Sequence, residues 1–342
     1  MVNRQWLLAR RPEGHAQVSD FELRANAQDK SPLAPGEIEV RSLLFLCAPT
    51  MRNWMEPPGR SLYPSATLGA PMLAPSGGRI IRSAHPDWPI GADITYFGSW
   101  QDVQRLCPDE AGPGRVLPGL SLVDAMGRFG LNPLTAYFGL LRVGVPKQGE
   151  TLLVSGAAGS VGSVVAQIGR LKGCRVVGIA GGPDKCRWLK DECGVDIAID
   201  YKAAGFDAVL YAACPDGIDI FFDNVGGATL DAAVDRMNKF GRIVLCGQIA
   251  GYDGAATAGP RNMMRLVYGS IRMQGFLMGD YADEVPQAVA ELRAWAEAGD
   301  LAYRDDIRQG FDALPASFLS LFDGTNQGTL LVMTDPAAAS PA

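Results

Sequence analysis

The sequence predicts an α/β protein: a doubly wound parallel sheet, with a mostly β unit beside it. Three observations carry this. Residues 151–154 are a short β-favouring run that enters a turn of small residues, after which Val161, Val164, Val165, Ile168 and Leu171 recur at helical spacing. From there to about residue 300, strand-like and helix-like runs alternate, as a parallel sheet with crossover helices requires. Residues 1 to about 120 lack that alternation and read as extended segments punctuated by Pro, Gly and Asp/Asn.

Taken in order, the runs 5–9, 21–25, 37–45 and 78–82 are the extended segments of the first part. Its aromatic residues, Trp54, Tyr63, Trp88, Tyr96, Phe97 and Trp100, are expected mostly in its core. Helical spacing begins over 123–141. Strands then follow at 151–154, 175–180, 197–201, 218–223, 242–246 and 273–278, with helices between them, one at 229–237. Helices at 283–298 and 311–322 precede a last strand at 328–333, and the Pro/Ala-rich tail, 334–342, is expected to be disordered.

The turn after the first parallel strand reads Ala157-x-Gly159-x-x-Gly162, a nucleotide fingerprint with alanine in place of its first glycine. Small residues let the backbone approach a pyrophosphate, and the following helix aims free N–H groups and its positive dipole end at the anion. A glycine-rich turn that binds nothing is the alternative. The second strand, a helix-length crossover later, completes the βαβ unit that the fingerprint needs. That strand ends in Ala180-Gly-Gly-Pro-Asp-Lys-Cys-Arg187. A 2′-hydroxyl usually meets a carboxylate there, whereas a 2′-phosphate wants space and cations. Gly181 and Gly182 leave space, Lys185 and Arg187 supply charge, and Asp184 is read as an acid favoured by the helix dipole. NADP is therefore expected over NAD, although a solvated helix face would also carry such lysines.

Length and composition narrow the field further. A chain of 342 residues should form more than one domain. A net charge of -6 without a basic run argues against a nucleic-acid partner. The seven cysteines lack a regular framework and read as reduced intracellular thiols. The opening residues do not resemble a secretory signal, and no apolar run is long enough to cross a bilayer, so a cytoplasmic location is expected. With only His15 and His85, both in turns, and no cysteines paired at ligand spacing, no metal is expected. No Gly-x-Ser-x-Gly elbow occurs.

Three strand ends could hold a ligand: Asp223-Asn-Val-Gly-Gly227, Cys246-Gly-Gln-Ile-Ala-Gly-Tyr252 and Gly275-Phe-Leu-Met278, the last through backbone groups suited to a carboxamide. Tyr252 and Tyr268 are the candidates for acid chemistry, since a phenol in a dry pocket can donate to a carbonyl oxygen that becomes anionic. Amphipathic packing is the alternative for either.

These motifs, with Leu134-Thr-Ala-Tyr-Phe-Gly-Leu140, Lys172-Gly-Cys174, Phe222-Asp-Asn-Val-Gly-Gly227 and Gly259-Pro-Arg-Asn262, resemble the zinc-independent medium-chain dehydrogenase/reductases. The branch resembled is that of leukotriene dehydrogenase/prostaglandin reductases, alkenal double-bond reductases and curcumin reductases, over nearly the whole chain. The resemblance implies a GroES-like substrate domain (1–125 and 300–333) and a Rossmann domain (126–299). It implies NADPH held by Gly159, Ser160, Val161, Gly162, Lys185, Tyr201, Asn224, Cys246, Gly247, Ile249, Tyr252, Phe276, Leu277, Met278 and Asn326. It implies reduction of the double bond of an α,β-unsaturated ketone or aldehyde, with Tyr268 catalytic, Thr50, Tyr63, Tyr252 and Tyr268 lining the substrate pocket, and a homodimer. Related zinc-free members reduce quinones, which makes quinone reduction one alternative, and where the family usually has Asp-Pro-Tyr-Met-Arg this chain has Ala48-Pro-Thr-Met-Arg52, which makes non-catalytic NADPH binding another.

Overall fold

The computed structural model describes residues 2–59, 62, 64–252 and 259–341. The chain divides into two compact units, Met1–Arg128 with Asp305–Ala342, and Phe129–Arg304.

The first unit begins with β1 (Val2–Leu8) and β2 (Phe21–Ala27), an antiparallel pair, and continues through β3 (Ile38–Cys47), β4 (Leu73–Ser83), β5 (Asp93–Ser99), β6 (Val103–Leu106) and β7 (Gly114–Arg115). The second carries β8 (Thr151–Val154), β9 (Arg175–Ala180), β10 (Ile197–Asp200), β11 (Ile218–Asp223), β12 (Met237–Leu245) and β13 (Arg272–Gly275). The chain then returns to the first unit with β14 (Asp305–Gln309) and β15 (Thr329–Met333), whose sheet runs β14-β15-β3-β4-β5-β7 with β6 also on β3. Phe21, Trp100 and Phe318 meet in the core of this unit, at ring separations of 5.2 Å and 6.1 Å about Trp100, so the late helix Leu314–Asp323 closes a core begun near residue 8. Strands β5 to β7 are not among the extended runs expected from sequence.

The second unit is a six-stranded parallel sheet in the order β10-β9-β8-β11-β12-β13, reversing direction between β8 and β11. Both faces are buried. On β8, Leu152 and Val154 join one core cluster with Val164, Val165 and Ile168, while Leu153 faces the other with Val177, Ile199 and Phe221. A strand covered on both sides reads as an unbroken apolar run, which is why these strands are visible in the sequence.

Several boundaries differ from expectation. The helix expected over 229–237 ends at Val234, and β12 starts at Met237 rather than 242. Phe240, at φ 64°, and a register slip against β11 between Ile218 and Ile220 break the strand's periodicity, hiding its first half. The stretch over 123–141 is two helices, as expected, Leu122–Met126 and Leu131–Phe138, but the second runs on into a π-turn, Gly139–Gly144. The last parallel strand stops at Gly275, not 278. The tail expected to be disordered carries a short 3-10 turn, Pro336–Ala339, capped by Asp335 and with Ala338 buried. Among the described residues no helix is long and apolar enough to cross a membrane.

Candidate functional site

In a doubly wound sheet the ligand crevice opens at the strand tips where the order reverses, here at β8 and β11. The two tips are tied together. Ser155 Oγ donates to Asp223 Oδ1 at 2.7 Å and accepts from the Asn224 N–H at 2.8 Å, while Asn224 Nδ2 donates to the Ser155 carbonyl at 2.7 Å. Asp223 Oδ1 also accepts from the Val225 and Gly226 amides, each at 3.0 Å. Burial pushes the Asp223 carboxyl above its ordinary range and these hydrogen bonds oppose the rise.

The turn that follows β8 requires its glycines. Gly156 sits at φ 57°, and a Cβ on Gly162 would lie 2.4 Å from the Gly156 carbonyl oxygen. Gly159 caps the helix Ser160–Leu171 without a side chain, and Ser160 Oγ accepts from Nδ2 of buried Asn132 at 2.9 Å. Val161 is half-buried beside it. The close approach of helix and turn that Gly162 permits, with the first turn of Ser160–Leu171 directly after Gly159, fits a pyrophosphate.

The tips of β9 and β10 differ in character. A Cβ on Gly181 would lie 2.9 Å from Cε1 of Tyr201 and 3.1 Å from Cε of Lys202. The Gly182 and Lys202 amides both donate to Asp200 Oδ1, at 2.8 Å and 3.0 Å, and hold its carboxyl below the usual range. That carboxylate thus serves the main chain. Lys185, in the helix Pro183–Asp191, has its pKa lowered by burial and then by the charges of Lys202 and Arg304. Arg187, expected to supply charge here, instead pairs with Asp184 one turn earlier in the same helix. Lys202, whose stem passes beside Gly181, stands at this tip and is not singled out by the sequence.

At the other end of the crevice the Cys246 and Gly247 amides donate to the Asp223 carbonyl, at 2.9 Å and 3.1 Å, and the Ile249 amide to that of Asn224 at 3.3 Å. The Tyr252 hydroxyl accepts from the Gln248 amide at 3.2 Å and closes this loop over Gly247. Burial, reinforced by Asp223, pushes the Cys246 thiol up to about 12, so it is no thiolate nucleophile at neutral pH. After β13, the Phe276 ring occupies the space a side chain on Gly139 would take, 2.4 Å from the Cβ position, and packs edge-on against Phe222. The Leu277 amide donates to Asp280 Oδ2 at 3.0 Å and its carbonyl accepts from the Asp280 amide at 3.1 Å. The Leu277 amide is therefore committed within the chain, whereas its carbonyl has a second lone pair and the backbone groups of Phe276 and Met278 also flank this tip.

Tyr268 does not join this group. It lies in the helix Met264–Gly269, is 80% exposed, and stands toward the strands' N-terminal ends, where Arg265 Nη2 donates to the Met237 carbonyl at 2.9 Å. A segment that leads directly into a parallel strand must lie at that strand's start, which is the physical reason. In the first unit, Thr50 precedes the short helix Met51–Trp54, and Asn326 Nδ2 donates to the Gly328 carbonyl at 3.3 Å. Tyr63 lies outside the described residues. Among the described residues no three His, Cys, Asp or Glu side chains gather as metal ligands.

Family models for an N-terminal domain of oxidoreductase and for a zinc-binding dehydrogenase match residues 4–112 and 160–294. The NADPH-dependent curcumin reductase of Escherichia coli is 36% identical over 341 residues, covering 96% of each chain. The NADP(+)-dependent 2-alkenal reductase of Nicotiana tabacum is 33% identical, covering 97% of each. A crystal structure of CurA from Vibrio vulnificus in complex with NADPH aligns at a TM-score of 0.89 with 37% identity, covering 97% of this chain and 99% of that one. With a doubly wound sheet, a small-residue phosphate turn and full-length likeness of this order, the chain belongs to the zinc-independent reductase branch of the medium-chain dehydrogenase/reductases.

Proposed function

We propose that this protein is an NADPH-dependent reductase of the carbon–carbon double bond in α,β-unsaturated ketones or aldehydes. The observation that carries the reading is a nucleotide cradle with Lys185 in the helix after β9 and Tyr201 beside Gly181, in a chain whose full-length relatives include a curcumin reductase and a 2-alkenal reductase. NADPH, when bound, supplies a hydride for the β-carbon of the enone. The chain's part is to hold and orient. The Gly156–Gly162 turn takes the pyrophosphate, Lys185 and Tyr201 the 2′-phosphate, and Asn224, the Cys246–Tyr252 loop, Phe276 and Met278 flank the nicotinamide end. A tyrosine hydroxyl donates to the substrate carbonyl as its oxygen gains charge, and a proton then reaches the α-carbon.

Tyr268 is the proposed donor. Its exposure in this chain, on a helix that also exposes Met263, Met264 and Val267, supports a homodimer in which a second copy covers that face and uses the phenol. The test is a panel of enones, enals and quinones with NADPH, with products identified by mass spectrometry. Saturated carbonyl products are expected. Hydroquinone as the sole product, or tight NADPH binding without turnover, would overturn the reading.

A further inference from the structure

The geometry points to a second ligand site within the Phe129–Arg304 unit, a cavity of about 270 Å³ that takes a small zwitterion with an apolar side chain, of the α-amino-acid class. The site is separate from the strand-tip crevice and independent of the NADPH reading. Val145 and Pro146 in its wall precede β8 and Lys172 precedes β9, so it lies toward the N-terminal ends of the parallel strands. Its volume falls just under the ~300–1,000 Å³ of sites for drug-sized molecules, which suits an occupant of amino-acid size.

The charged groups around the cavity are unevenly matched. Arg142 gives Nε and Nη2 to Glu284 Oε2, at 2.8 Å and 2.6 Å, and that pair is settled. Lys172 and Glu291 also line the cavity, and among the described residues neither has an ion pair. Lys172 rests its ammonium 5.3 Å from the ring centre of Trp295 in the helix Val285–Glu297. Glu291, one turn earlier in that helix, accepts from Gln287 Nε2 at 3.0 Å. An ammonium and a carboxylate thus share one small cavity without meeting. A ligand that carries both charges pairs with each of them, whereas a ligand that carries one leaves the opposite protein charge bare as water is displaced.

The apolar wall is Leu141, Val145 and Pro146. Val145 closes the π-turn Gly139–Gly144 at φ 47°, a left-handed position that usually falls to glycine or asparagine and that strains a β-branched residue. Its backbone is pinned on both sides. The Val145 N–H donates to the Leu140 carbonyl at 2.8 Å, and its carbonyl accepts from Arg242 Nη2 at 3.0 Å, while Arg242 Nε holds the Gly144 carbonyl at 2.9 Å. The side chain held this way is 46% exposed. The helix dipole accounts for a lysine directly after Leu171, but not for a strained valine kept at the surface in the same cavity wall. An apolar side chain laid on Val145 and Pro146 removes that surface from water.

The test is calorimetry on the full chain with L-leucine, with isocaproate, which lacks its amine, and with isoamylamine, which lacks its carboxylate. L-Leucine should saturate at millimolar concentration or below, each single-charge probe binding at least about ten-fold more weakly for want of one charge-assisted contact. Lys172→Gln should weaken L-leucine about ten-fold and leave isoamylamine unchanged, and Glu291→Gln should weaken L-leucine as much and leave isocaproate unchanged. That crossed pattern is one a merely structural role would not produce. Lys172→Arg, which keeps the charge, should retain most of the affinity. Val145→Asn, which tolerates the left-handed backbone, should weaken all three probes alike. Absence of saturable heat with both L-leucine and the larger L-phenylalanine would overturn the site, as would equal affinity for the three probes or wild-type affinity for L-leucine in both charge variants. Should Glu291→Gln fail to fold, the exposed Lys172 position decides the matter alone, through the contrast between Lys172→Gln and Lys172→Arg.

Discussion

The two ends of the strand-tip crevice in the second unit are built by opposite means. At β8 and β11 the work is steric and uncharged on the outside: Gly156, Gly159 and Gly162 clear the backbone, and the one carboxylate, Asp223, is buried and turned toward Ser155 and the amides of Val225 and Gly226. At β9 and β10 the lining is charged, with Lys185 in the helix after β9 and Lys202 beside Gly181 at the strand tips. On the proposed reading the first end takes any dinucleotide and the second distinguishes one from another. Affinity and specificity are thus separable within one sheet.

The largest expected effect tests the first end. Gly162→Val places a side chain 2.4 Å from the Gly156 carbonyl and 2.8 Å from the Ala157 Cα, both backbone atoms with little freedom to yield. Overpacking of this kind costs about 1–3 kcal/mol in stability, and the distorted cradle should lose NADPH and NADH alike. Thermal unfolding with calorimetry measures both, and retained NADH binding would break the comparison. Next comes Lys185→Gln, which should weaken NADPH by more than about ten-fold while sparing NADH. Equal losses would make the second end an affinity device and not a selective one.

Tyr268→Phe belongs to neither end and sharpens the division: kcat should fall several-fold with NADPH affinity unchanged, by steady-state kinetics beside calorimetry. The smallest effect lies at the far end of β8. Arg242 bonds Glu150 through two nitrogens, at 2.6 Å and 2.9 Å. Burial raises the Glu150 pKa, but Arg242 and the Lys147 amide outweigh it, so the folded value lies below the ordinary 4.5. Its contribution is therefore complete above 4.5 and fades as pH falls through the lower folded value. Glu150→Gln should lose about 1 kcal/mol at neutral pH, with less loss in acid and no change in cofactor preference, as followed by denaturant titration.

What the sequence makes legible here is local. Gly162 and the apolar run before it declare a strand, a turn and a helix because each signal falls within a few residues. The tie between Ser155 and Asp223 spans 68 positions, and no spacing rule brings Asn132 to Ser160 or Arg304 to the helix of Lys185. Arg187 fails for a different reason. Asp184 stands three residues before it, and an i,i+3 ion pair is the ordinary fate of that spacing on a helix. The first unit is less legible still. Its strands bury alternating or mixed faces, so β5, with Ile94 and Tyr96 inside and Phe97 half-exposed, carries no run long enough to stand out.

The Phe276 ring seated in the space beside Gly139 has an evolutionary corollary. A side chain at 139 would meet that ring at 2.4 Å and Phe222 Cε2 at 2.8 Å, so both aromatic rings must shift to admit it. In a genetic selection for function, Gly139→Ala should therefore recover through smaller side chains at 276 and 222, positions that exchange volume with 139 although both lie far from it in the chain.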